Sequence, residues 1–159
     1  MEGKVVSIAV SERKGEKKLR VAEAFLEADL GIRGDAHAQG GPRQVSLLMD
    51  ESIERMRAGT GIEVAYGDFA ENIVTSGVDL RSLKVGDRFL ISPPGPAEGR
   101  DLPEGAALLE VTMIGKECKT PCRIYYQVGF CIMPREGVFC RVLRSGPVRN
   151  GDGVRVQRI

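Results

Sequence analysis

The dipeptide Gly-Asp occurs four times, at 34–35, 67–68, 86–87 and 151–152, and these turns set the scale on which the chain can fold. Glycine accepts the positive φ that a tight turn demands, and the aspartate beside it can bond the local backbone. Two copies open directly into alternating runs, Arg88-Phe89-Leu90-Ile91 and Gly153-Val154-Arg155-Val156. Turns repeated between short alternating segments point to a sandwich or a barrel. The likeness between the two stretches reads as convergent turn chemistry, not as a repeat.

The rest of the chain follows the same pattern. Residues 4–10, 44–49, 69–75, 88–92, 108–114, 137–144 and 154–159 read as strands. Asp50 is placed to cap a short helix over residues 51–58, with Gly59 just beyond its end. Residues 20–30 fit two patterns: Val21, Ala24, Phe25 and Ala28 have helical spacing, whereas Ala22, Ala24, Leu26 and Ala28 alternate. Propensity alone predicts a helix there. The Pro/Gly-rich stretch 93–105 reads as a surface insertion between two strands, because neither flank is large enough for a separate core. The expectation is one mainly β domain over residues 1–159, with one or two short helices.

Composition narrows the function. With 42% hydrophobic residues and a formal net charge of +1, the chain is neither disordered nor suited to bulk phosphate neutralisation, so no nucleic-acid partner is expected. Arg141, Arg144, Arg149, Arg155 and Arg158 read as solvated strand faces. No run has the length of a membrane span and the first residues lack a signal peptide, so the expected location is cytoplasmic.

Two segments carry chemistry. Residues 31–44 combine glycines with Arg33, Asp35, His37, Arg43 and Gln44 around the sole histidine. Such a loop can present backbone N–H groups and guanidinium forks to an oxyanion, or its polar groups can satisfy one another in a tight turn. A single histidine excludes a His-rich metal site. The cysteines lie at 118, 122, 131 and 140. Cys140 alternates with Val138 and Val142 and is expected in the core, as is Cys131 beside Phe130 and Ile132. Cys118 and Cys122 instead stand among Lys116, Lys119 and Arg123, cations that favour a thiolate able to attack sulfur, carry a persulfide or bind a soft metal. The thiol chemistry alone does not rank those two.

Taken in order, Gly31-Ile32-Arg33-Gly34-Asp35-Ala36-His37, Arg43-Gln44-Val45-Ser46-Leu47-Leu48, Phe69-Ala70-Glu71-Asn72-Ile73, Leu83-Lys84-Val85-Gly86-Asp87, Pro121-Cys122, Gly146 and Gly151-Asp152 resemble the MOSC domain, the C-terminal domain of molybdenum-cofactor sulfurases. The resemblance extends over nearly the whole chain and is nearest to small stand-alone bacterial members. It implies a barrel-like β fold and a role in molybdenum-cofactor or sulfur chemistry centred on one cysteine. That cysteine corresponds to Cys122; Asn72 matches the Glu-Asn-Ile motif, and His37, Arg43 and Gln44 match the glycine-rich loop. The chain carries neither the pyridoxal-phosphate desulfurase domain of the eukaryotic sulfurases nor the extra N-terminal domain of the amidoxime-reducing relatives, and no Schiff-base lysine is identifiable. The insertion at 93–105 also looks longer than the usual family connection.

The resemblance leaves three readings. In the first, Cys122 accepts a persulfide from a separate cysteine desulfurase and passes the sulfur on, with Cys118 as resolving thiol. In the second, the domain binds the molybdenum cofactor, or a protein of its synthesis, without turnover. In the third it is a molybdenum-dependent reductase of N-hydroxylated substrates, with Cys122 as metal ligand. Arg33, His37, Arg43, Gln44, Asn72 and Arg123 are the candidate cofactor-binding residues. Asp35, the only acid of its loop, is expected to orient a neighbour and not to touch an anion.

Overall fold

The computed structural model describes residues 2–94, 105–115 and 132–158. Eleven strands are described among them: β1 (Glu2–Val10), β2 (Leu19–Val21), β3 (Glu23–Glu27), β4 (Gly31–Ile32), β5 (Val45–Met49), β6 (Ile73–Ser76), β7 (Arg88–Ser92), β8 (Ala107–Ile114), β9 (Val138–Arg144), β10 (Gly146–Arg149) and β11 (Gly153–Gln157). The strand order β11-β7-β8-β9-β5-β6-β1 closes on itself because β11 also pairs with β1. The result is a seven-strand closed barrel, which leaves no open sheet edge along its wall. Strand β2 extends the wall beyond β1, and β10, β3 and β4 form a separate small sheet. The mainly β expectation holds. Strands β7 and β8, on either side of the 93–105 stretch, pair with each other from Arg88↔Glu110 to Ile91↔Ala107.

Alternation sorts the side chains. Val5, Ile8, Leu47, Ile73, Phe89, Leu109 and Val142 belong to one buried apolar cluster, which lines the barrel interior. Their neighbours Leu48, Val74 and Phe139 point the other way and pack on Ile53, Met56 and Phe69. Strand β5 is therefore buried at every position, as a strand covered on both faces should be. The outer cover is helix α1 (Asp50–Thr60), whose Ser52, Ile53 and Met56 are buried. A one-turn helix α2 (Met133–Glu136) precedes β9. Among the described residues, no helix is long and apolar enough to cross a membrane.

Three local expectations are corrected. Residues 20–30 form β2, β3 and a turn instead of a helix: Val21 pairs with Ile8, Leu26 with Gly146, and Asp29 at φ 60° breaks any helical path. Alternation won over propensity because partners on β1 and β10 were available, and only Leu26 of β3 is fully buried. Helix α1 begins at Asp50 with Met49 as its N-cap, and the left-handed C-cap is Gly61 at φ 70°, not Gly59. Strand β6 starts only at Ile73, because Ala70 takes φ 61° and turns the preceding residues into a loop.

Candidate functional site

Three of the four Gly-Asp aspartates perform the same local task. Asp68 accepts a hydrogen bond from the Ala65 N–H, Asp87 from Lys84 and Asp152 from Arg149, each three residues back and each 2.8–2.9 Å long. Asp35 departs from this pattern. Its Oδ1 accepts from the Ser11 backbone at 3.0 Å and from Lys18 Nζ at 2.8 Å, and its Oδ2 accepts from the His37 N–H at 3.0 Å.

A buried charged cluster results. The side chains of Lys18 and Asp35 are both fully shielded from solvent, while that of His37 is 20% exposed. Burial would push the Asp35 carboxyl up, but the hydrogen bond from Lys18, the Lys18 charge and the Ser11 N–H hold it well below the usual carboxylate range. Lys18 also donates to Ser11 Oγ at 2.9 Å and lies 3.2 Å from His37 Nδ1. Asp35 orients its neighbours, as the sequence suggested. Lys18 and Ser11 were not foreseen: a lysine in the charged loop 11–18 carries no local sign that it will be buried.

The backbone of Lys18 ties this cluster to the Glu-Asn-Ile motif. Its N–H donates to Gly67 O at 2.8 Å, and the approach is so close that a β-carbon at Gly67 would stand 2.2 Å from Lys18 O. Gly67 opens the loop that ends in Glu71 and Asn72. Asn72 is 1% exposed and bonded at both ends of its amide: Oδ1 accepts from the Ser46 N–H at 3.0 Å and Oγ at 3.2 Å, while Nδ2 donates to Ala9 O at 3.1 Å. Its carboxamide therefore fastens β1, β5 and the start of β6 together. Glu71 is completely buried. Its Oε1 accepts from the Phe69 N–H at 3.3 Å, whereas Oε2 has no hydrogen-bond partner. Burial, only partly offset by backbone N–H groups, pushes this carboxyl up to about 8. The motif drew attention to Asn72 in the sequence and passed over Glu71.

The remaining loop residues divide. Gln44 is buried, and its Oε1 accepts from the Val142 N–H at 2.9 Å, carrying the β5–β9 ladder one step further. Arg33 is an exposed guanidinium paired with Glu27 at 3.2 Å and stacked 4.2 Å above the Phe25 ring. Arg43 is exposed, 5.9 Å from the Phe139 ring centre, and pairs with no carboxylate among the described residues. Phe139 faces Ser46 across β5 and β9, and Ser46 holds Asn72, so Arg43 borders the Asn72 assembly. A cleft of about 530 Å³ beside Pro42 and Gln44 is walled by Glu110 and Arg141, and none of Lys18, Asp35 and His37 lines it.

Cys118, Cys122, Arg123 and Cys131 lie outside the described residues. Cys140 lies within them, fully buried, and burial pushes its thiol far up, so it is chemically quiet. Among the described residues, no group of three His, Cys, Asp or Glu side chains could hold a metal ion. The backbone N–H groups of Arg33, Asp35, Ala36, His37, Ala38, Gln39 and Gly40 are all bonded within the protein, so what the described part of the site holds out to an anion is the Arg43 guanidinium and the partly exposed His37 ring.

A seven-strand barrel carrying an anion-suited loop beside a Glu-Asn-Ile motif defines a recognisable class of domain. The MOSC domain model matches residues 34–155, and the chain belongs to that family. In structure it is similar to the YuaD protein of Bacillus subtilis, with a TM-score of 0.77 at 20% identity over 100% of this chain and 97% of that one. It is also similar to YiiM from Geobacillus stearothermophilus, with a TM-score of 0.71 at 17% identity over 98% of this chain and 75% of that one. YiiM from Escherichia coli gives 0.66 at 19% identity, over 100% and 71% of the respective chains. At these identities the likeness is one of fold. No curated protein matches the chain in sequence.

Proposed function

We propose that the protein binds the molybdenum cofactor through the cofactor's phosphate-bearing pterin and serves as a cofactor-handling module with Cys122 as its sulfur centre. MOSC domains are associated with that cofactor, and the family relationship supports a molybdenum-cofactor-related role. The observation that carries the finer reading is the donor set of the 31–44 loop. His37 is held on a buried Lys18–Asp35 pair, and Arg43 is exposed with no carboxylate partner among the described residues. These residues fit the phosphate end of the group: the Arg43 guanidinium brings positive charge, the partly exposed His37 ring can donate an N–H, and Asp35, the one acid of the loop, is already paired with Lys18. His37 and Arg43 would hold the phosphate, Arg123 would add charge and Cys122 would supply the thiolate to the metal. When bound, the cofactor supplies oxo- and sulfur-transfer redox chemistry at its metal. Asn72 and Gln44 contribute by fixing the strand ends from which the loop springs, and Arg33 adds positive charge at the loop's entry.

The sulfur-carrier reading uses the same cysteine and keeps a specific support. Cys140 is buried with its ionisation suppressed, which leaves thiol chemistry to the other cysteines. A cysteine desulfurase or a cofactor-synthesis protein would be the partner.

The deciding experiment uses the full chain purified from a host that makes the cofactor, with molybdenum and pterin analysis alongside intact-protein mass spectrometry. Near-stoichiometric molybdenum and pterin, lost together in an Arg43→Ala/His37→Ala double variant, is the expected result. One extra sulfur atom on Cys122 with no pterin would replace this reading with the carrier. Neither species, before or after incubation with free cofactor, would overturn both.

A further inference from the structure

An Asp-x-His pairing such as Asp35–His37 ordinarily implies that the carboxylate takes the Nδ1 proton, leaving Nε2 as a base or a metal ligand. Here the geometry reverses that arrangement. A lysine ammonium has three protons and no acceptor. All three of Lys18 are accounted for: Asp35 Oδ1 at 2.8 Å, Ser11 Oγ at 2.9 Å and His37 Nδ1 at 3.2 Å. Asp35 Oδ2 lies 3.6 Å from Nδ1, beyond a good hydrogen bond, and already accepts the His37 backbone N–H at 3.0 Å. The Lys18 hydrogen bond is satisfied only when Nδ1 accepts, which in the ring with one N–H places that proton on Nε2.

We propose that Lys18 is a positioning residue that holds the His37 ring in the tautomer with its N–H at Nε2, so that His37 serves a bound anion as a hydrogen-bond donor and not as a base or metal ligand. The inference rests on the anion-binding reading of the loop for its second half only. The tautomer is a property of the unliganded chain. The arrangement also explains the burial of an entire lysine–aspartate pair beneath one partly exposed ring. Asp35 gives the buried ammonium a local counter-charge and, being buried itself, does not compete for the ligand.

Because His37 is the only histidine, its ring ¹⁵N resonances can be read in the intact protein without assignment ambiguity. At pH 8, above the ordinary histidine range, the expected spectrum has a pyridine-like Nδ1 and a pyrrole-like Nε2. A pyrrole-like Nδ1, or averaged shifts, would overturn the proposal in the wild-type protein, before any variant is made. In Lys18→Met the Nδ1–H form bonded to Asp35 should appear; an unchanged spectrum in the folded variant would remove Lys18 from the role.

The donor function is read separately, with inorganic phosphate as the probe. A glutamine amide nitrogen stands near where Nε2 stands, so His37→Gln should bind phosphate within about threefold of wild type, whereas His37→Ala should bind roughly tenfold more weakly. Equal loss in both variants would overturn the donor role. Wild-type binding in His37→Ala would overturn the donor role, and no phosphate binding by the wild-type protein would overturn the anion site itself, an outcome distinguishable from failure of the tautomer.

Discussion

Replacing Glu71 with Gln tests a buried carboxyl in the loop that leads into β6. Glu71 is fully buried and its Oε2 lacks a partner, and the carboxyl is pushed from 4.5 up to about 8. An acid with a raised folded value contributes fully to stability below its unfolded value, and that contribution is lost as the pH rises toward the folded value. The window is therefore about pH 4.5 to 8. At ~1.36 kcal/mol per pH unit, keeping the proton on folding costs about 3 kcal/mol at pH 7. Glutamine has no proton to lose, although its amide leaves an N–H without an acceptor, at a cost of about 1 kcal/mol. Glu71→Gln should thus match wild type near pH 5, and its advantage should grow by roughly 3 kcal/mol by pH 8. Asp35 does not confound the comparison. Its lowered value places its stabilisation above about pH 3.8, to be lost only on further acidification. The assay is urea unfolding of both proteins from pH 4.5 to 8.5. Parallel stability profiles would refute the reasoning, because they would mean that Glu71 ionises in the folded chain as freely as in the unfolded one.

Three further outcomes follow from the same geometry. Asn72→Ala strips partners from Ser46 and Ala9 in the buried wall and should lower stability by about 3 kcal/mol, read as a shift of the urea midpoint at constant slope. Gly67→Ala places a β-carbon 2.2 Å from Lys18 O, whereas Gly15→Ala, at φ 73°, meets nothing within 4 Å. The first should cost roughly 3 kcal/mol or more and the second only about 1, so equal thermal shifts would show that the Lys18 contact is not rigid. In native alkylation at neutral pH, Cys140 should be the last thiol to react and should become accessible only on unfolding; early labelling would contradict its burial.

The barrel was legible because its signals are local. Alternation and Gly-Asp turns gave β7, β8, β9 and β11 nearly to the residue. The short strands β2, β3, β4 and β10 were harder: three form their own small sheet, whose existence depends on Val148 meeting Ala24, a pairing far apart in sequence. No window that short can show it. The helix boundaries slipped for a related reason. Asp50 could have capped a helix but instead lies inside it, where Tyr66 OH donates to its Oδ1 at 2.8 Å. The loop 31–44 was visible as chemistry, yet which of its residues face a ligand was not. Gln44 proved to be a ladder element and Arg33 a stacked surface ion pair, because their roles depend on Val142 and Phe25 arriving from elsewhere.

The first Gly-Asp turn, Gly34-Asp35, shows how a structural motif becomes a functional one here. Asp68, Asp87 and Asp152 each close their own turn on a backbone N–H three residues back. Asp35 gives its oxygens instead to Ser11, Lys18 and the backbone of His37. That reassignment requires Lys18 to lie against the turn. Its backbone is held there by Gly67, the glycine of the second Gly-Asp pair, at a distance no other residue would allow. One turn therefore positions the cation that releases another turn's aspartate from its usual duty. The Lys18 N–H to Gly67 O contact thus joins the two halves of the site, the His37 cluster and the loop that ends in Glu71 and Asn72. A perturbation at Gly67 should accordingly be felt at His37 and at Asn72 together, whereas one at Gly86 or Gly151 should be felt at neither.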